Sequence, residues 1–493
     1  MNKQIWIEHL ASWKEFLIGI LASTDEKGEQ IKIERQLRTI ERVRCGAVLN
    51  PVLLTSFIDP SIVQTTITEC DKFSLDLNDS QKNAVKTAIA DNVLTLIQGP
   101  PGTGKTQVIA EICLQLYKRN PGIRILVCSE THVAVNNLIN RIAKQNDQIR
   151  IVRIRDKEND DSIDEFLPET MLKDYFAWAS ACIQNKDALN IIAEELNEPS
   201  SRSLEKALIL SANIAGMTCN RAAAYDFRDT TEMFDVVIID EVCKATLPEI
   251  LAPLIISEKA ILLGDPKQLP PVFCSEEREI IHQIENCHLD QYMYIDKLFE
   301  KASMAIMLDE QYRMSNQIGE MISTLFYDGK LKNGRNEDSK DPLLWISYSP
   351  SMQWPTSQEN NSERPQVFNE EERDIIASLV SDLISSKQGL TIGIITPYKG
   401  QAALLKKTIN PSANIKIDTV DGFQGKECDV VIFSVTRTTG SYRFLADKRR
   451  LNVALSRARD RIIIVGDIEY ARKNALLLDI MNYCVIRNFE PRI

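Results

Sequence analysis

The octapeptide Gly99-Pro100-Pro101-Gly102-Thr103-Gly104-Lys105-Thr106 has the residue types that hold a polyphosphate. It fits G-x-x-x-x-G-K-[ST], follows the apolar run Val93–Gln98 and opens a helical pattern over Thr106–Arg119. Glycines let the backbone wrap closely, so that N–H groups point at phosphate oxygens beside the positive end of the helix. Lys105 is placed to reach the β- and γ-phosphates of a nucleoside triphosphate, and the Thr106 hydroxyl to ligate Mg²⁺. A second acidic signal closes the run Phe234–Ile239: Asp240 to hold the Mg²⁺ shell and Glu241 to polarise an attacking water. Alone, two carboxylates at a strand end are an ordinary solvated feature. Beside a phosphate loop they imply hydrolysis rather than storage of the nucleotide.

These groups need a rigid frame, and the apolar patterning supplies one. Val93–Gln98, Ile123–Ser129, Ile149–Ile154, Asn213–Thr218, Phe234–Asp240 and Lys259–Gly264 each have the look of a buried parallel strand, with helical patterns such as Thr106–Arg119 and Val133–Lys144 between them. A second series runs through Met304–Leu308, Leu390–Thr396, Cys428–Val435 and Arg461–Gly466. Near-continuous apolar strands alternating with helices predict an α/β fold with doubly wound parallel sheets, and two series predict two such domains. The expected division is an N-terminal accessory or stalk region at 1–75, an ATP-binding domain at 76–303 and a second α/β domain at 304–493. A charged, helix-rich insertion at about 156–211 reads either as a solvated excursion or as an accessory subdomain over a nucleic-acid path.

Bulk properties narrow the class. A chain of 493 residues exceeds what one hydrophobic core supports. No apolar run is long enough to span a membrane, and Trp6, Leu10, Trp13, Leu17 and Leu21 recur at the spacing of an amphipathic helix packed on the body. The 11 cysteines form no C-x-x-C pair, which points to reduced thiols and a cytoplasmic location, with the nucleus open for a eukaryotic source. Cys274, His282, Cys287 and His288 cluster without a common zinc spacing, so Cys287 reads as a buried thiol. The net charge of −11 argues against tight coating of duplexes, whereas the basic stretch Arg437–Arg461 leaves room for a local strand-binding groove.

The order of further motifs resembles that of superfamily 1 helicases. Leu77-Asn78-Asp79-Ser80-Gln81 precedes the phosphate loop, and Gly264-Asp265-Pro266-Lys267-Gln268-Leu269-Pro270-Pro271 follows Asp240-Glu241. Then come Gln311-Tyr312-Arg313-Met314, Thr396-Pro397-Tyr398-Lys399-Gly400-Gln401, Thr419-Val420-Asp421-Gly422-Phe423-Gln424-Gly425-Lys426-Glu427 and Leu451-Asn452-Val453-Ala454-Leu455-Ser456-Arg457-Ala458. The wording is similar to the Upf-like group, which includes the nonsense-mediated-decay helicase and senataxin, over roughly residues 76–470.

The resemblance implies two tandem RecA-like domains and a set of roles. Gln81 would bond the adenine edge, Tyr312 would stack on the base, and Glu427 would contact the ribose. Gln268 would sense the γ-phosphate. Arg313 and Arg457 would act as arginine fingers from the second domain, so that nucleotide binding and hydrolysis close and open a cleft and move a bound strand. Strand contacts would come from Ser129, Thr131, His132, Asn136 and Thr218, and from Thr396, Tyr398, Lys399 and Thr419, with His132 also readable as a plain loop histidine. Such hydroxyls and amides bond phosphate and sugar without reading sequence, so the track is single-stranded DNA or RNA. The group implies 5′ to 3′ movement, no membrane partner, and association with a protein such as a nuclease as one possibility. A nucleic-acid-binding ATPase switch without unwinding is the alternative. Ser315-Asn316 after the Tyr312-Arg313-Met314 motif and Val242-Cys243-Lys244 after Glu241 depart from the group's usual wording.

Overall fold

In the computed structural model the described residues are 3–489 apart from 64, 71, 156–163, 183–189, 191–200, 226–232, 286, 288, 290–293, 302–304, 336–340, 355–366, 388 and 424. Two compact units result. The first comprises Met1–Gly99, Lys105–Pro266 and Pro270–Leu308, and the second comprises Pro100–Gly104, Lys267–Leu269 and Asp309–Ile493.

The first unit is built on seven parallel strands: β1 (Leu94–Gln98), β2 (Ile125–Ser129), β3 (Ile151–Arg153), β4 (Ile214–Thr218), β5 (Phe234–Ile239), β6 (Ser257–Gly264) and β7 (Ile306–Met307). Their order is β3-β4-β2-β5-β6-β1-β7. The central strands are buried on both faces, which is why Val, Ile and Leu fill them without alternation. Strand β7 corrects one expectation. Its segment was expected to open the second sheet, yet Ile306 and Met307 pair in parallel with Ile97 and Gln98 of β1. Two residues of pairing extend an existing edge, which a short apolar run before a motif does not reveal. Strand β5 is also not adjacent to β1, because β6 lies between them.

The second unit carries β10 (Leu343–Ser347), β11 (Ile392–Thr396), β12 (Ile415–Thr419), β13 (Cys428–Ser434), β14 (Ala458–Val465) and β15 (Val485–Asn488), in the order β12-β11-β13-β14-β10-β15 and all parallel. A two-strand ribbon, β8 (Glu310–Gln311) with β9 (Lys332–Asn333), stands apart. Strand β12 is an edge whose Lys416 faces solvent, and β15 is exposed throughout. Neither has the continuous apolar wording of a central strand, so patterning passed over both.

Helices α1 (Lys3–Ser23), α2 (Lys27–Arg44), α3 (Pro51–Ile58), α4 (Asp79–Ala88), α5 (Lys105–Arg119) and α6 (His132–Ala143) belong to the first unit. The α1 stripe Trp6, Leu10, Trp13 and Leu17 is buried in the same core as β1 and β5, with the Trp6 ring 5.5 Å from Tyr294 and Trp13 6.1 Å from Phe273. Burial of each such ring stabilises by roughly 1.5–3 kcal/mol, which pins the N-terminal helices to the nucleotide-binding sheet. Helix α2 adds polar contacts: Lys32 pairs with the buried Glu249 at 3.2 Å, and Gln36 donates to it at 3.3 Å. Of the insertion, the helices Pro168–Cys182 and Ser201–Ser211 are described, whereas most of its acidic stretches lie outside the described residues. Among those residues, no helix is long and apolar enough to cross a membrane.

Candidate nucleotide and strand-binding sites

Strand β1 ends at Gln98 and the chain turns through Gly99–Gly104 into α5. Gly102 and Gly104 have φ of 75° and 76°, backbone that an L side chain resists, and this turns successive N–H groups inward. The Gly99 N–H bonds the Gly264 carbonyl at 2.9 Å, tying the loop's start to the end of β6. Lys105 Nζ donates to the Gly99 carbonyl at 2.6 Å, so the ammonium is held over the loop by its own backbone. The Thr103 hydroxyl donates to the Pro100 carbonyl at 2.8 Å, making Thr103 a structural member. Pro101 sets the turn between them.

At the end of β5, Asp240 is buried and its Oδ1 accepts the Glu241 N–H at 2.9 Å. Burial and the neighbouring Glu241 charge push the Asp240 carboxyl up to about 6, against the pull of Lys105. A cation beside it would stabilise the ionised form. The Thr106 hydroxyl and the Asp240 carboxylate are hard oxygen donors of the kind Mg²⁺ takes. Glu241 sits in the left-handed region, φ 54° and ψ 33°, which costs a non-glycine residue about 1 kcal/mol or more. Its carboxylate is held by Lys244 at 2.6 Å. The turn Val242–Lys244 packs onto Gly264, where a Cβ would lie 2.7 Å from Cys243 Sγ. Thus the unusual Val-Cys-Lys wording has a physical place: Cys243 packs, and Lys244 restrains the glutamate.

Gln81 caps α4. Its Oε1 accepts the Asn78 N–H at 3.0 Å while Asn78 accepts the Gln81 N–H at 2.8 Å, which fixes the amide's orientation. In the second unit Gln311 builds the turn that presents the next residues. Its Oε1 accepts from the Arg313 and Met314 N–H groups at 2.9 and 2.7 Å. Tyr312 is 45% exposed, and its N–H bonds the Gly102 carbonyl at 2.9 Å. Arg313 Nε pairs with Glu427 Oε2 at 2.8 Å, and Glu427 also pairs with Arg459. Partial burial pushes the Glu427 carboxyl up, but the two guanidiniums outweigh it and hold it below the usual range. Two residues expected on different parts of a nucleotide are therefore joined to each other, and Arg459 was not foreseen. Arg457 is buried: Nε donates to the Val453 carbonyl at 2.9 Å and a terminal nitrogen reaches Gln268 Oε1 at 3.4 Å. Asn452, also unforeseen, donates to the Lys267 carbonyl at 2.8 Å.

The expected strand contacts divide by accessibility. Ser129, Asn136, Thr218, Thr396 and Tyr398 are buried, His132 and Thr419 are half-buried, and Thr131 and Lys399 are exposed. Thr131 and Thr218 cap helices, accepting from Ala134 and Arg221. Arg153, only 1% exposed, donates to Asn136 at 2.8 Å and lies 2.9 Å from His132 Nδ1. It thereby orients two residues of α6, and a lone arginine in an apolar strand gave no such signal. The Thr396 hydroxyl meets Thr436 at 3.1 Å, and the Thr419 hydroxyl accepts from Gly422 at 3.4 Å. Among the described residues no group of His, Cys, Asp and Glu is set to hold a metal on its own, and His288 and Gln424 lie outside those residues.

A phosphate loop after β1 and an acidic pair after β5 define a P-loop NTPase, and the second parallel sheet makes the architecture one of two RecA-like domains. Two family models, each described as an AAA domain, match residues 76–202 with 180–276, and 291–469. The chain is 33% identical over 458 residues to the DNA polymerase alpha-associated DNA helicase A of Saccharomyces cerevisiae, covering 81% of this chain and 66% of that one. The protein of the same name from Schizosaccharomyces pombe is 31% identical, with coverages of 86% and 70%. Regulator of nonsense transcripts 1 of Caenorhabditis elegans is 32% identical, with coverages of 83% and 39%. The chain belongs to the Upf-like superfamily 1 helicases. It spans less than two thirds of the length of the first two of these relatives that it matches from different groups, 66% and 39%. A solved arterivirus nonstructural protein 10 helicase covers 78% of this chain and 61% of its own at 15% identity and a TM-score of 0.41.

Proposed function

We propose that this chain hydrolyses ATP to move along single-stranded nucleic acid in the 5′ to 3′ direction. The observation that carries the reading is that one sheet holds both the loop closed by Lys105 and the strained Asp240-Glu241 turn, near enough for the Lys105 charge to act on Asp240. Lys105 and the loop N–H groups bind the phosphates, and Gln81 and Tyr312 orient the base. Mg²⁺, held by Thr106 and Asp240, would neutralise charge on the phosphate oxygens. Glu241 takes the proton of the attacking water, with Lys244 restraining the carboxylate between turnovers. Arg313 and Arg457 supply positive charge to the transferring phosphoryl group, and Gln268, bonded to Arg457, reports its presence. Glu427 steadies Arg313 as well as facing the ribose. The 5′ to 3′ direction comes from the family resemblance.

The names of the relatives include both a DNA helicase and a regulator of nonsense transcripts, so both polymers belong in the test. ATP hydrolysis is measured alone, with single-stranded DNA and with single-stranded RNA, using Glu241→Gln as the blank. Stimulation by one polymer names the track, and displacement from a 5′ overhang then tests direction. Stimulation without displacement moves the reading to an ATPase switch, and indifference to both polymers removes the strand.

A further inference from the structure

Beyond the loop ends implied by resemblance, the second unit has a ladder of two adjoining rings with a cation on each. The Arg437 guanidinium lies 5.2 Å from the centre of the Tyr398 ring, and its Nε donates to the Tyr398 hydroxyl at 2.8 Å. Tyr398 meets Phe444 edge-on at 5.8 Å, with the planes at 85°. Arg450 covers Phe444 from another side at 5.1 Å and is itself fixed by Asp421 at 2.8 Å. Tyr398, the ring singled out by its motif, is only 6% exposed and so is closed to a base. Phe444 is the outward member of the ladder, at 37%.

An exposed phenylalanine is by itself unremarkable in a soluble protein. This one differs in how it is presented. Its loop is stapled on both sides: Leu445 is fully buried, and Tyr442 stacks on Tyr470 at 4.4 Å while donating its hydroxyl to the Tyr470 carbonyl at 2.7 Å. The Tyr470 hydroxyl returns a bond to the Ser441 carbonyl at 3.2 Å. A ring held outward by an anchored loop has little conformational entropy left to lose on binding. Its surroundings are basic. Residues 437–450 hold Arg437, Arg443, Lys448, Arg449 and Arg450 against the single acid Asp447, in a chain whose net charge is −11. Tyr398 and Arg437 follow closely on the C-terminal ends of β11 and β13, the edge at which open parallel sheets bind their ligands.

We propose that Phe444 is a stacking platform for a base of the bound single strand, with the flanking arginines taking the adjoining phosphates. The inference rests on the strand-binding reading above and names the residue that grips a base. Aromatic stacking is tolerant of base identity, as a translocating protein requires, and Arg450 behind the ring adds to its hold on a π-face.

The test uses the full chain and fluorescence anisotropy with two labelled probes of equal length, oligo-dT and a strand of abasic deoxyribose phosphates. Wild type should prefer oligo-dT by on the order of 10-fold, the worth of one base–aromatic stack. Phe444→Ala should erase most of that preference while keeping the abasic affinity, and Phe444→Trp should restore it. An alanine variant that keeps the preference overturns the proposal, as does one that loses both probes equally, since that marks a structural role. Wild type binding neither these probes nor oligo-U overturns the strand-binding reading itself and this inference with it; binding to oligo-U alone moves the same comparison to oligo-U and an abasic ribose strand.

Discussion

The buried carboxylate of Glu372 gives the sharpest physical prediction. Its side chain is fully buried, where it accepts from the Ser434 hydroxyl at 2.6 Å, the Thr436 N–H at 2.8 Å and the Tyr348 hydroxyl at 3.2 Å. Gln401 in turn donates to Ser434, and Asn369 donates to Tyr348. Thr436 has φ of 70°, so the Glu372 bond pins a left-handed residue directly before Arg437 of the stacking ladder. Glu372→Ala would leave these buried donors without an acceptor and open a cavity, a loss of roughly 3–5 kcal/mol. For a unit of this size, that lowers its melting transition by roughly 6–20 °C. The pH dependence has a definite sign. Burial pushes the carboxyl up to about 8 from 4.5, the donors opposing it. Between those values the native state holds a proton that the unfolded chain has released, so this group's contribution falls as pH rises through the window. The full swing is on the order of 4–5 kcal/mol. Calorimetry of wild type and Glu372→Gln at pH 5.5 and 8.5 checks it, the glutamine variant lacking this group's titration. A stability gap between the two proteins that is the same at both pH values would refute the reasoning, as would an alanine variant melting within about 2 °C of wild type.

Lys105→Ala should abolish ATP hydrolysis, and steady-state turnover at the wild-type level would sink the phosphate-loop assignment. Arg457→Ala should lower kcat by on the order of 10³ while sparing ATP binding, measured by nucleotide titration, and equal loss of both would mark the residue as structural. Lys244→Met frees the Glu241 carboxylate from its 2.6 Å partner and should raise strand-independent turnover by at most ~5-fold, the worth of an ion pair near the surface. A fall in that rate would instead make Lys244 an aid to the glutamate.

What was legible in the sequence was whatever is encoded locally. A glycine loop between an apolar strand and a helix, an acidic pair at a strand end and an indole stripe at helical spacing each carry their geometry within a few residues, and β1, β5 and α1 stand where these patterns put them. What could not be read depends on partners distant in sequence. Ile306-Met307 is an apolar dipeptide whose sheet is decided by Ile97-Gln98, more than two hundred residues earlier. Arg153 is a cation in a buried strand, and only the fold reveals that His132 and Asn136 neutralise its cost. The same limit separates Tyr398 from Phe444. The motif points to the tyrosine, but packing covers it with Arg437 and passes the exposed face to a ring nearly fifty residues on. A motif therefore marks a neighbourhood, and packing decides which of its side chains are exposed. In this second unit the buried motif groups at Thr396 and Gln401 are tied through Ser434 and Thr436 to Glu372 in one hydrogen-bonded network, and no local pattern in the sequence joins those five residues.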